Sequence, residues 1–289
     1  MYQSILVPLD GSDFSAAALP VAAALARRTG ATLQLAIVHD PSMYLHFKPG
    51  ELTTFNKAEL DNKCASLRAW VEEQAASISN TGVRAHGTYL EGTIVEAIAE
   101  HAELTNANLV VMTTHARDGL DRLRVGSIAA SFIAQSPVPV FLVRPSGPEA
   151  PSPGHELPTG SLLVPLDGSS FAEAILPVAA EFARALSLSI ELISVCASSA
   201  IIATRAYLES AVAKLNPAPA IAAKITVLDE SAAARALIDY AAQTHPAAIA
   251  MATHGRSGFV RLVLGTVTEK VLKGVEQPLL VYRPDEAST

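Results

Sequence analysis

Short apolar runs alternate with longer stretches of helical period along the whole chain. The runs are bounded by turn-forming residues and lack polar alternation, as expected of strands covered on both faces. They predict strands at 5–9, 33–38, 83–89, 109–113 and 138–143, and again at 162–166, 190–195, 224–228, 248–252 and 279–282. Between the first two runs of the second set, Phe171, Ile175, Val178 and Phe182 recur at spacings of four, three and four. That is one face of a helix, and Phe14, Ala18, Val21 and Leu25 repeat it earlier in the chain. Pro20 and Pro177 fall inside this helix and lack the N–H it needs. A kink is expected there, or a helix that starts just before the proline. Further helices are predicted at 55–79, 93–105 and 126–135, and at 203–215, 232–243 and 265–273. Strands and helices alternating through right-handed crossovers give an α/β fold: two five-stranded parallel sheets, each with helices on both faces.

The two sets are copies of one another. The segment from Ile5 to Val38 aligns with Leu162 to Val195 at an offset of 157, with about half the positions identical. Further on, T-T-H-A-R-D-G from Thr113 aligns with A-T-H-G-R-S-G from Ala252 at an offset of 139. The first copy therefore carries 18 extra residues, placed around Pro41 to Lys57. Pro, Gly and Ser crowd the stretch between the copies, which reads as a linker over 146–160 joining domains at 1–145 and 161–285.

Composition narrows the partners. Half of the 289 residues are hydrophobic and 17% are charged, a globular balance, and Arg27-Arg28 interrupts the longest apolar stretch, so no membrane span is expected. A net charge of -7 without a Lys/Arg run argues against nucleic acid. The N-terminal residues lead straight into Ile5-Leu6-Val7 with no basic leader, which predicts a cytoplasmic protein. Cys64 and Cys196 fit neither a disulfide framework nor metal-ligand spacing.

In an open doubly wound sheet, ligands sit beyond the carboxyl ends of the strands, where the winding reverses. The candidate loops are Pro8-Leu9-Asp10-Gly11-Ser12 and Pro165-Leu166-Asp167-Gly168-Ser169, together with 115–127 and 254–266. The latter two end in Gly126-Ser127 and Gly265-Thr266, at predicted helix starts. Free N–H groups, the helix dipole and a hydroxyl suit a phosphate there, although the same residues also make an ordinary turn and N-cap. His115 and His254 have no second ligand or triad partner at suitable spacing, so a structural role is expected. Arg117 and Arg256 could steer phosphate or simply be solvated.

The set V-P-L-D-G-S, T-H-G-R-S-G-F-V-R-L-V-L-G-T and Q-P-L-L-V-Y resembles the universal stress protein family over nearly all of both copies. The resemblance implies tandem Rossmann-like domains of the adenine-nucleotide alpha-hydrolase-like type, binding ATP or a related adenine nucleotide. The nucleotide-binding pattern of the family is Gly, two residues, Gly, nine residues, Gly and Ser or Thr. The second copy matches it with Ala252, Gly255, Gly265 and Thr266, and the first with Thr113, Ala116, Gly126 and Ser127. A Cβ at such a position hinders close approach of the backbone to a phosphate, so the second copy is expected to bind better. The resemblance further implies cofactor contacts from Pro165, Asp167, Val195, Arg256 and Val267, and from Asp10 and Val38. Asp10 and Asp167 would meet ribose, adenine or a phosphate-bound Mg²⁺, with loop bracing as the alternative; Val38 and Val195 would lie against adenine or pack in the core.

Three functions remain open: a stress-response regulator that binds ATP, a slow ATPase or related hydrolase, and a member working through protein contacts without nucleotide. The absence of a G-x-x-x-x-G-K-[ST] loop and of a serine elbow weighs against an enzyme. Family members pair through their fifth strands, so the resemblance implies an intramolecular pseudo-dimer through 138–143 and 279–282, with a homodimer of chains left open.

Overall fold

The computed structural model describes residues 2–41, 57–114, 126–144, 157–215, 221–253 and 266–284. In the first repeat the order is β1 (Ser4–Leu9), α1 (Asp13–Ala16), α2 (Leu19–Thr29), β2 (Thr32–His39), α3 (Lys57–Ser79), β3 (Ala85–Glu91), α4 (Ile94–Leu104), β4 (Leu109–Thr113), α5 (Ser127–Ile133) and β5 (Val140–Val143). The second runs β6 (Ser161–Pro165), α6 (Ser170–Glu173), α7 (Ile175–Leu186), β7 (Ser189–Cys196), α8 (Ile201–Leu215), β8 (Ala223–Asp229), α9 (Ala233–Thr244), β9 (Ala248–Ala252), α10 (Thr266–Gly274) and β10 (Leu279–Tyr282). Part of the extra length assigned to 41–57 belongs instead to α3, which has 23 residues against 15 in α8; residues 42–56 and most of the expected linker lie outside the described residues.

The prolines explain how each first helix is divided. Pro20 is the second residue of α2 and Pro177 the third of α7, within the first turn, where backbone N–H groups have no intrahelical partner. The chain makes one short turn, α1 or α6, and then restarts at the proline. The exits differ: Gly30 closes α2 at φ +76°, whereas Ser187 takes the matching left-handed position at φ +54°. Ser187 also accepts a hydrogen bond from Arg28 of the first repeat.

Within each repeat all strands are parallel, in the order β3-β2-β1-β4-β5 and, correspondingly, β8-β7-β6-β9-β10. The two sets form one ten-stranded sheet, because β5 pairs antiparallel with β10 in the register Leu142↔Leu279, Phe141↔Leu280 and Val140↔Val281. Apolar, fully buried β5 would otherwise present an unpaired edge. The outer edges are β3 and β8, whose polar residues, among them His86, Thr88, Lys224 and Asp229, suit exposed edges. Mixed polarity also explains why β3 starts two residues later than its apolar run predicts. It pairs with β2 from Leu33↔Ala85 to His39↔Glu91, and Val83 is buried just ahead of the strand.

The repeats share their core. The rings of Phe141 on β5 and Phe182 on α7 lie 4.7 Å apart and tilted by 51°, in a cluster that also holds Leu25 and Leu280. On the opposite face Phe132 and Ile133 of α5 share a cluster with Val271 and Leu272 of α10. Two arginines then link the ends of the last strands to the opposite repeat. Arg144 donates to the carbonyl of Leu272, and Arg283 donates to the carbonyls of Gln135 and Ser136 just beyond α5. Cations are favoured there, at the negative ends of helices.

Candidate functional site

The winding reverses between β1 and β4 and between β6 and β9, so a crevice opens at the carboxyl ends of these strands. The loop leaving β6 turns at Gly168, φ +90°, and the loop leaving β1 at Gly11, φ +82°, where a side chain would be strained. In each loop the aspartate braces the turn. Asp167 Oδ1 accepts from the N–H and the hydroxyl of Ser169, at 3.0 and 2.6 Å, and Asp10 Oδ1 accepts the same pair from Ser12, at 3.0 and 2.5 Å. The serines then cap α6 and α1 by accepting from the N–H groups of Ala172 and Ser15. The bracing role is thus made by one carboxylate oxygen. Among the described residues nothing bonds to Oδ2 of Asp167, which leaves it for a hydroxyl or a metal ion.

In the second repeat, Pro165, Asp167, Val195, Ala252, Thr266 and Val267 all line one cavity of about 360 Å³. Its apolar wall is completed by Ile193, Leu237 and Met251, and its hydroxyl-bearing rim by Thr266 at the start of α10. The Thr268 hydroxyl donates to the carbonyl of Ala252 at 3.2 Å and ties α10 to the end of β9. In the first repeat Asp10, Val38, Thr113, Gly126 and Ser127 come together around a cavity of about 100 Å³, with Ile98 and Met112 in its wall. Ala116, Gly255, Arg256 and Gly265, like His115, Arg117 and His254, lie outside the described residues.

Two aligned wall positions carry larger side chains in the first cleft, whereas Thr268 of the second is matched by the smaller Ala129 of the first. Ala233 in the second cleft is matched by Ile94 in the first, and Val267 by Ile128, so the first wall carries the larger side chain both times. Val267 is already an expected contact, but Ala233, Ile94 and Ile128 fall outside the glycine pattern, and reading that pattern alone misses them. The signal that finds them is the repeat itself, since both pairs stand at the offset of 139. Among the described residues no group of three or more His, Cys, Asp or Glu side chains could hold a metal ion. Any Mg²⁺ at Asp167 would therefore take most of its ligands from phosphate and water. No helix of the described residues is long and apolar enough to cross a membrane.

Strand order and paired crevices define a tandem Rossmann-like α/β protein, each half wound about its own switch point. The sequence pattern of the universal stress protein family matches residues 1–144 and 159–283, and the chain belongs to that family as a tandem two-domain member. It is similar to a universal stress protein of Methanocaldococcus jannaschii, with 31% identity over 149 residues that span 50% of this chain and 83% of the relative. A universal stress protein of Thermus aquaticus is 32% identical over 145 residues, 50% of this chain and the whole of that relative. Among solved structures, a universal stress protein from Archaeoglobus fulgidus superimposes with a TM-score of 0.73 over 98% of both chains, at 17% identity. At that identity the likeness speaks to the fold alone.

Proposed function

We propose that this chain is a cytoplasmic stress-response regulator that binds ATP or a related adenine nucleotide, more strongly in the second domain than in the first. The observation that carries the reading is the second cleft. Asp167, Val195, Ala252 and Thr266 meet around a cavity of about 360 Å³, and small-molecule sites are typically about 300–1,000 Å³. Val195, Leu237 and Met251 offer adenine an apolar slot, Asp167 offers the ribose hydroxyls or a phosphate-bound Mg²⁺ an oxygen, and Thr266 stands where the phosphates would reach α10. The first cleft has a smaller cavity, and its motif carries Ala116 where the second has Gly255. The domains are taken as 1–145 and 161–285, joined by 146–160, and acting as an intramolecular pseudo-dimer across β5 and β10. Regulation, rather than turnover, fits clefts that offer no P-loop lysine and no nucleophile elbow.

Native mass spectrometry of the purified chain, followed by titration with ATP and Mg²⁺, tests the proposal. One nucleotide per chain is expected at limiting ATP, and Gly255→Ala or Gly265→Ala should weaken binding more than Gly126→Ala does. No bound nucleotide and no thermal shift with ATP would favour action through protein contacts alone. Phosphate release faster than about 1 s⁻¹ would make the chain an enzyme.

A further inference from the structure

The first repeat holds a second chemical cluster at the far end of β2. Cys64 on α3, His39 at the last position of β2 and Tyr89 on β3 converge there, with Arg68 one helical turn beyond Cys64. The Cys64 sulfur lies 3.5 Å from Nδ1 of His39, and the Tyr89 hydroxyl lies 3.0 Å from the same nitrogen. The His39 and Tyr89 rings stack with centroids 6.2 Å apart, and the Arg68 guanidinium sits 4.9 Å from the centre of the Tyr89 ring. His39 is 5% exposed, whereas Cys64 is only half-buried, so the imidazole is shielded while the cysteine keeps contact with solvent. Burial, and next the hydrogen bond with the Cys64 sulfur, push the Tyr89 hydroxyl well above its ordinary pKa. It therefore stays protonated and able to donate.

We infer that Cys64 is an activated thiol with His39 as its base, and a site of reversible oxidation by a peroxide. The thiolate, not the thiol, is the nucleophile, and it forms where a base and cationic or donor groups surround the sulfur. The proton passes from Sγ to Nδ1. The resulting thiolate faces the imidazolium and the Tyr89 O–H, with the Arg68 charge nearby. Sulfur attacks one peroxide oxygen, forming an S–O bond as the O–O bond breaks. Sulfur is oxidised by two electrons to a sulfenic acid, and the departing hydroxide or alkoxide takes the proton from Nδ1. An external thiol condenses with the sulfenic acid to a mixed disulfide, releasing water, and a further thiol attacks that disulfide to set Cys64 free.

Two further observations set the pair apart. At the matching strand positions the second repeat has Cys196 in place of His39 and Val227 in place of Tyr89, so the arrangement belongs to the first repeat alone. The cluster also borders the first cleft. A Cβ on Gly11 would meet Leu67 Cδ2 at 3.3 Å, so α3, which carries Cys64 one turn earlier, rests against the loop that holds Asp10.

The test is the rate of alkylation of each cysteine in the intact native chain at neutral pH, with excess iodoacetamide and peptide mass spectrometry. Cys64 is expected to react about tenfold or more faster than Cys196, and the difference to vanish in denaturant. His39→Gln should bring Cys64 down to the rate of Cys196, and hydrogen peroxide followed by dimedone should label Cys64 first. Equal native rates, or a fast Cys64 that His39→Gln leaves unchanged in a folded protein, would overturn the inference. If His39→Gln does not fold, the native and denatured rate ratios of the unmodified chain decide the matter.

Discussion

Replacing Ala233 by isoleucine, the residue that stands at the matching place in the first repeat, should close the second cleft to nucleotide. The substitution adds three carbons to a wall shared with Leu237 and Met251. Each methylene-sized group of apolar contact is worth about 0.8 kcal/mol, so a base denied that space loses up to about 2.4 kcal/mol. Ala233 is only half-buried, and part of the added side chain can turn to solvent. An effect of about 1–2.4 kcal/mol, or roughly 5- to 60-fold in Kd, is therefore expected. Ala233 is the first residue of α9, and exchanging Ala for Ile in a helix costs only a few tenths of a kcal/mol, about 0.4. Thermal unfolding of the variant should accordingly match the parent, which separates a plugged site from a damaged fold. Calorimetric titration with ATP and Mg²⁺ reads the affinity, and the reciprocal Ile94→Ala should strengthen binding at the first site. A folded Ala233→Ile protein that binds within twofold of the parent would show that Ala233 does not border the base.

Asp167→Asn keeps an acceptor for Ser169 but removes the charge, whereas Asp167→Ala removes both. By urea unfolding the alanine variant should lose about 1 kcal/mol and the asparagine variant less, while both weaken binding of Mg-ATP; identical stability losses would sink the bracing role. Phe182→Ala empties a fully buried site against Phe141 of the other repeat and should cost about 3–5 kcal/mol in the same measurement; under about 1.5 would mean that the shared core repacks. Burial lowers the pKa of His101 from its ordinary 6.5, so the unfolded chain takes up this proton more readily than the folded one. Its contribution is present above pH 6.5 and is lost as pH falls below it. His101→Gln should flatten the stability profile below about pH 6.5, and an unchanged slope would show that His101 does not drive the loss.

The central strands are legible in the sequence because burial on both faces leaves uninterrupted apolar runs, and β1, β4, β9 and β10 start within a residue of their predicted positions. Edge strand β3 is less legible, since exposed positions such as His86 and Glu91 break its run, and the buried Val83 ahead of it draws the apparent start two residues early. The aspartate and glycine positions of the first loops follow from turn chemistry. The antiparallel direction of the β5–β10 pairing does not, because Val-Phe-Leu-Val and Leu-Leu-Val-Tyr would satisfy an apolar edge in either orientation. His39 and Cys64 stand 25 residues apart with no spacing rule to link them, and meet only when α3 packs on β2 and β3.

Three differences between the repeats bear on binding in the first cleft. Ile94 and Ile128 stand where the second cleft has Ala233 and Val267, and in sequence Ala116 stands where the second copy has Gly255. Ile94→Ala leaves the other two in place, so it should strengthen binding at the first site without bringing it level with the second. The same repeat carries the thiol–imidazole pair that the second lacks. Two copies of one fold permit this division, because a binding cleft kept open in one repeat frees the other for different chemistry. The shared Phe141–Phe182 core and the crossed arginines Arg144 and Arg283 hold the two repeats against one another, so each change is made on a common core.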